Sequence, residues 1–301
     1  MTEIKPVPEL EELKKQWYNT DAVAFEMINA MKYRESVFIA TNKKVTQRML
    51  KINAVRFLYM NFDRYRFFEQ ECLYNIYNSV AHFPELPMGS FRYEEKREQQ
   101  AKFNANYMEF IKGYDLFIDL DNPNFQLVYS SAKLLKEIFD SHDVRYSVIY
   151  SGTKGLHFTV EYQNLPNELK QLSFDKLAKL FKLFAYELKL IKKIKDIDTS
   201  VFDLRRIKKV PYSVVYPYYR VALPLTDEQF ENFNISDVFL PNLEPEQMKR
   251  RGLLTRQGTT DGLMVLMKEI AIERKKSEQL FRLCKTKKQT LYGLMKEMEL
   301  I

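Results

Sequence analysis

Cysteine is nearly absent from this 301-residue chain: only Cys72 and Cys284 occur, far apart. That excludes a disulfide framework and a cysteine-rich zinc cluster. Three histidines, His82, His142 and His157, are too few and too scattered to replace one. A reducing, cytoplasmic setting is the default expectation. Glycine is scarce at 8 residues and proline numbers 11, so no collagen-like or low-complexity segment is present. No window approaches about 18 uncharged apolar residues, and the start Met1-Thr2-Glu3 lacks an apolar core, so neither a membrane span nor an export leader is expected. No internal repeat is visible.

What is present is ordinary globular chemistry with a basic bias. Hydrophobic residues make up 46% and charged residues 29%, enough for one large core or two modest ones. The net charge of +7 suits a polyanionic partner without requiring one. The 22 Phe and 19 Tyr can fill a core or stack on bases.

Hydrophobic spacing predicts a helix over 9–35, from Leu10, Leu13 and Trp17 through Phe25, Ile28 and Met31, then a short strand at Val37–Ala40. Residues 46–80 interleave cations with aromatics: Arg48, Lys51, Arg56, Phe57, Tyr59, Arg64, Tyr65, Arg66, Phe67 and Phe68. Such a pattern could track a phosphate backbone while stacking bases. The favoured reading is two successive amphipathic helices with core aromatics. Pro84, Pro87 and Gly89 break the pattern, and 91–104 is a charged helix or loop. A strand over 114–121 follows, then a helix over 127–140 with Leu127, Leu134, Leu135, Ile138 and Phe139 on one face. Strands over 143–150 and 156–162 flank a turn at Ser151–Gly155, and a strongly amphipathic helix covers 173–191. Strand–helix–strand–turn–strand–helix predicts an antiparallel α+β unit of the ferredoxin or RRM type. Residues 226–301 read as mostly helical and basic.

Three clusters on this predicted sheet carry chemistry. The run Leu116-Phe117-Ile118-Asp119-Leu120-Asp121 ends at Asn122-Pro123. Residues i and i+2 of a strand share a face with Cα atoms roughly 6.5–7 Å apart, so Asp119 and Asp121 project side by side with Phe117, while Ile118 and Leu120 bury behind. Adjacent carboxylates repel unless a cation neutralises them, and a two-metal phosphoryl-transfer site uses such a pair; the alternative is a solvated strand end. The second cluster is Ser151-Gly152-Thr153-Lys154-Gly155-Leu156-His157, where Gly152 and Gly155 permit positive φ, Lys154 supplies charge and His157 stands on the outgoing strand. A lone histidine at such a position is more often a structural hydrogen-bonder than a ligand. The third is Asp198 ahead of Asp203, Arg205, Arg206, Lys208 and Lys209, with Arg220 beyond; by itself such a run is a solvated face.

In order and context these three resemble the motifs of the archaeo-eukaryotic primase superfamily. Phe117-Ile-Asp119-Leu-Asp121 resembles its hydrophobic strand ending in Asp-x-Asp. Ser151-Gly-Thr-Lys-Gly-Leu-His157 resembles its Ser-Gly-x-(Arg/Lys)-Gly-x-His. Asp198-Thr-Ser-Val201, followed by the basic stretch and Pro211-Tyr-Ser213, resembles its Asp-x-x-Val with Pro-x-Ser. The resemblance spans roughly 110–225.

It implies a catalytic core over 1–225, an N-terminal α/β unit packed on an RRM-like unit of about 110–225, with 226–301 as a helical extension. Asp119, Asp121 and Asp198 would bind two Mg²⁺ or Mn²⁺ ions, with Asp203 in reserve for the third carboxylate because the spacing to Pro211 is about one residue short of some relatives. Ser151, Lys154, Gly155 and His157 would hold the nucleotide's triphosphate, with Lys209 and Arg206 assisting. Where the family often has a histidine after Pro-x-Ser, Val215 and Tyr216 stand here. No zinc is expected, and the missing zinc module points toward bacterial, phage, plasmid or CRISPR-associated primase-polymerases, or the polymerase domains of end-joining ligases. The implied activity is templated nucleotidyl transfer from NTPs or dNTPs on single-stranded or primed DNA, with de novo initiation, in the cytoplasm at the nucleoid, an accessory or large subunit being a further partner. A gap-filling or end-joining polymerase and a non-catalytic nucleic-acid-binding subunit are the alternatives.

Overall fold

Asn19-Thr20-Asp21 stops the first helix and starts a second, so the predicted 9–35 helix is two. A computed structural model describes residues 7–41, 52–57, 72–83, 106–281 and 290–301. In it Pro8–Asn19 and Asp21–Met31 are helices, and Thr20 between them is extended, at φ −80 and ψ 125. Its amide still reaches the Trp17 carbonyl at 3.3 Å while its own carbonyl accepts from Ala24, so one residue ends one helix and opens the next. Trp17 is fully buried and donates from its indole to the Tyr212 carbonyl at 2.8 Å.

The chain divides into two compact units, each discontinuous in sequence. The first gathers 1–113, 149–153 and 205–254; the second gathers 114–148, 154–204 and 255–301. In the first, an antiparallel sheet runs in the order Ile52–Phe57, Ser36–Thr41, Cys72–Ser79, Ile207–Lys209. The predicted helices over 46–80 are thereby corrected, since both described pieces of that stretch are strands. Tyr, Ile and Val favour a pleated, half-buried surface, and cross-strand pairing outweighs the helical spacing of the aromatics. Within that series, Arg48, Lys51, Tyr59 and Arg64 through Phe68 lie outside the described residues, as do 91–104 and Cys284.

The second unit bears out the predicted order of strands and helices. Its sheet runs Leu116–Asp121, Gly155–Val160, Ser147–Tyr150, the first pair antiparallel. An antiparallel bridge between Leu120 and Ile197 adds a short fourth ribbon on the outer side of the Leu116–Asp121 strand. The resulting order, fourth–first–third–second, is that of a β-α-β-β-α-β ferredoxin-like unit. The intervening helices are Phe125–Ser141 and Phe174–Ile191. The first buries Val128, Ala132, Leu135 and Phe139, an i, i+4, i+7, i+11 stripe, whereas Leu127, expected on that face, is exposed. The second buries Leu177, Leu180, Phe181, Phe184 and Leu188.

The strand after the first of these helices starts later than predicted, at Ser147, because Asp143 takes a left-handed turn at φ +55. Residues 256–262 close against this turn: the Arg256 amide donates to the Tyr146 carbonyl at 2.7 Å and that of Thr259 to Asp143 at 2.8 Å. Gly262 sits so close that a Cβ would lie 2.4 Å from the His142 carbonyl oxygen. The helix Gly262–Phe281 then packs on Phe174–Ile191, where Arg274 meets the buried Glu187 at 3.4 Å. Glu269 joins it at the surface, bonded by His142 at 2.8 Å and Lys192 at 3.0 Å, and these bonds hold its carboxyl below the usual range. Among the described residues no helix is long and apolar enough to cross a membrane.

Candidate active site

The Leu116–Asp121 strand buries both faces for most of its length and frees its end. Leu116, Phe117, Ile118 and Leu120 are buried, Asp119 is partly exposed and Asp121 is exposed. Its register with the neighbouring strand sets Asp119 opposite His157 and Asp121 opposite Gly155. Residues directly opposite share a face. The His157 Nε2 accordingly lies 3.5 Å from Asp119 Oδ1, and its ring meets Phe117 edge-on with centroids 5.0 Å apart. His157 is only 6% exposed, so its position is fixed by packing as well as by the carboxylate. Lys154, just before this strand, brings its amine to 3.4 Å from Asp121 Oδ1, both side chains about half exposed. Bare carboxylates about 7 Å apart would repel by about 2 kcal/mol at an effective dielectric of about 20. The facing Lys154 amine offsets part of that repulsion.

On the other side of the same strand runs the segment with the third carboxylate. The Asp121 amide donates to the Asp196 carbonyl at 3.0 Å, and the Asp198 amide donates to the Asp119 carbonyl at 2.9 Å. Asp198 is therefore opposite Asp119, as His157 is from the other flank. Its Oδ1 accepts from the Ser200 amide at 2.8 Å, a local turn that orients the carboxylate. Asp203, the reserve ligand, is exposed, and its carbonyl accepts from the Tyr114 hydroxyl at 3.2 Å.

Of the remaining predicted residues, Ser151, Arg206 and Lys209 belong to the first unit and Gly155 to the second. Ser151 Oγ is 3.1 Å from Thr153 Oγ1 in the bend. The Thr153 carbonyl accepts from the Tyr150 hydroxyl at 2.6 Å and from Arg220 at 3.4 Å. Gly152 takes φ +83 and a Cβ there would sit 2.3 Å from Val215 Cγ2, so this glycine serves conformation and contact alike. Gly155 instead begins a strand. Arg206, half-buried, accepts the Val80 amide on its carbonyl at 2.9 Å. The basic run is more than a solvated face, because Lys208 is buried and Lys209 lies opposite Tyr77. The Lys209 amine bonds to Asn75 and, at 2.9 Å, to the Tyr77 hydroxyl, and burial pulls its pKa down to about 7.

The carboxylates offer hard oxygen donors, suited to Mg²⁺ or Mn²⁺ rather than zinc. Among the described residues no group of three or more His, Cys, Asp or Glu side chains is arranged to hold a metal ion. One partly exposed and one exposed carboxylate, with a third opposite the first, are what the sheet presents.

Asp196 escaped the reading of the sequence. Its carboxylate accepts from the Asn122 side chain at 2.7 Å and from the Ser131 hydroxyl at 2.5 Å. The available signal was a second Asp-x-Asp, Asp196-Ile197-Asp198, with the same spacing as the first.

No known family profile matches the chain, and no curated protein matches it. Solved structures do. The polymerase domain of ligase D from Mycobacterium tuberculosis, in complex with DNA, is similar at 14% sequence identity and a TM-score of 0.52, over 93% of this chain and 98% of that one. The chain thus has the mixed α+β fold of that polymerase domain.

Proposed function

We propose that this protein is a metal-dependent nucleotidyltransferase that copies a DNA template from NTPs or dNTPs and starts strands de novo. The observation that carries the proposal is the row His157, Asp119, Asp198 across adjacent strands, with Asp121 and Lys154 one step along. Three motifs separated in sequence supply it, and the fold is one that a DNA-bound polymerase domain shares.

In this reading Asp119 and Asp121 hold divalent ions, and Asp198 joins them by turning its carboxylate away from the Ser200 amide. When bound, two such ions supply charge stabilisation to the transferring phosphoryl group and the leaving pyrophosphate. Lys154 leaves Asp121 for the more highly charged triphosphate, a small cost because exposed pairs are worth about 0–1 kcal/mol. His157, its ring packed against Phe117, shifts its Nε2 from Asp119 to donate to a phosphate oxygen. The chemistry then rests on positioning and electrostatics, without a dedicated side-chain base. For Ser151, Gly155, Arg206 and Lys209 a role in holding nucleotide phosphates rests on the sequence motifs. Template phosphates held by basic side chains would make DNA binding fall with salt.

The double variant Asp119→Ala/Asp121→Ala tests the proposal. Loss of all Mn²⁺-dependent incorporation with an intact fold is expected; retained synthesis refutes it. The likeness to a ligase polymerase domain favours a second reading, a gap-filling or end-joining polymerase that extends but does not initiate. Synthesis on an unprimed single-stranded circle separates the two.

A further inference from the structure

Asp196 sits where the end of the Asp119 strand, the start of a helix and the Asp198 segment meet. Its carboxylate takes one hydrogen bond from Asn122, at 2.7 Å, and one from Ser131, at 2.5 Å. Asn122 directly follows Asp121, and its own Oδ1 accepts from the Asn124 amide at 2.9 Å. Asn124 in turn caps the Phe125–Ser141 helix through the Gln126 amide, and Ser131 lies in that helix. The Asp196 carbonyl accepts from the Asp121 amide at 3.0 Å. The next carbonyl, of Ile197, accepts the Lys189 amine at 3.0 Å. Asp198 follows, its amide on the Asp119 carbonyl.

One carboxylate therefore ties together the two chain segments that carry all three candidate ligands. We propose that Asp196 is a positioning residue for the ion site: it holds Asp121 through Asn122 and Asp198 through its own backbone, without itself touching substrate. This rests on the reading of Asp119, Asp121 and Asp198 as ion ligands. Asp196 is only partly exposed, so its two bonds are shielded in part from water. Charge-assisted bonds of this length are the strong kind. Groups that orient metal-ligating side chains are worth about 10–100-fold in metal affinity or activity.

The experiment measures Mn²⁺ binding by the EPR signal of the free ion, alongside thermal unfolding and primer extension, all on the full chain. The variants are Asp196→Ala, Asp196→Asn, Ser131→Ala and Asp119→Ala. Asp196→Ala is expected to weaken Mn²⁺ binding about tenfold or more with nucleotide KM at saturating metal within about twofold. Asp196→Asn, which keeps one carbonyl acceptor, loses less, and Ser131→Ala, which removes one donor, loses least. A purely structural residue would lower the melting temperature and leave ion affinity of the folded protein alone; that result in Asp196→Ala overturns the inference. Should Asp196→Ala not fold, wild-type ion affinity in both Asp196→Asn and Ser131→Ala overturns it equally. Failure of the underlying reading looks different: wild type then binds no Mn²⁺, or Asp119→Ala binds it as wild type does, and the inference falls with it.

Discussion

Gly152→Ala probes the bend that carries Ser151 and leads into Lys154. The glycine has φ +83, and a Cβ built on it lies 2.3 Å from Val215 Cγ2 and 3.0 Å from Val215 Cβ. Holding a non-glycine residue in such a backbone region costs of order 1–3 kcal/mol. Forcing a methyl group into packed space costs about 1–3 kcal/mol more, since buried Val215 has little room to yield. Against this, alanine restricts the unfolded chain and returns about 0.4–1 kcal/mol. The net loss is therefore about 1–6 kcal/mol. Trp17, the sole tryptophan, is fully buried in the same unit and reports its unfolding by fluorescence in urea. The clash is separable from the backbone strain. Val215→Ala removes the atom that the new methyl would strike, so in the Gly152→Ala background it should cost less than in the wild type. A coupling of about 1–3 kcal/mol is expected in the double-mutant cycle. Coupling within about 0.5 kcal/mol of zero would show that Val215 does not set the requirement for glycine.

Lys154→Ala should raise nucleotide KM about tenfold, with DNA binding unchanged and stability shifted by less than about 1 kcal/mol, because its pair with Asp121 is half exposed. Loss of DNA binding at normal nucleotide affinity would count against that role. His157→Ala should add a stability loss of about 1–3 kcal/mol, read by urea unfolding, since it empties a buried site against Phe117. Lys209, with its pKa lowered to about 7 by burial, gives a pH signature. Between about 7 and the unfolded value near 10.4 the unfolded chain binds more protons, so stability rises with pH across that window. Lys209→Met should flatten the rise; an unchanged slope would refute the depressed pKa.

The second unit was readable because its elements are separated by strong punctuation. Asn122-Pro123 stops one strand, Gly152 and Gly155 frame the hairpin bend, and the 3.6-residue stripe of Phe174–Ile191 is unambiguous. The face shared by Asp119 and Phe117 followed from period two alone. The N-terminal strands were misread because aromatics spaced along a short window satisfy helical and extended periods alike, and only their partners decide. Register across the sheet was not legible either. That Asp198 falls opposite Asp119, and that Asp196 braces the turn after Asp121, depends on pairing between distant segments. Lys208 belongs to a run that by itself reads as a solvated face, yet it is buried, because its strand joins the edge of a sheet whose other members lie far upstream.

The ladder between Asp119 and Asp198 also bears on how the protein is made. The two residues are about eighty positions apart, so closing that pairing costs more chain entropy than any hairpin in the unit. A nascent chain can form the Leu116–Asp121 strand, its helix and the adjoining hairpin long before the residues around Asp198 leave the ribosome. Until then the outer edge of that strand offers unpaired amides and carbonyls to any extended segment nearby. Assembly of the three carboxylates is thus a late, non-local event, and the ribbon that completes the candidate site also covers the exposed edge.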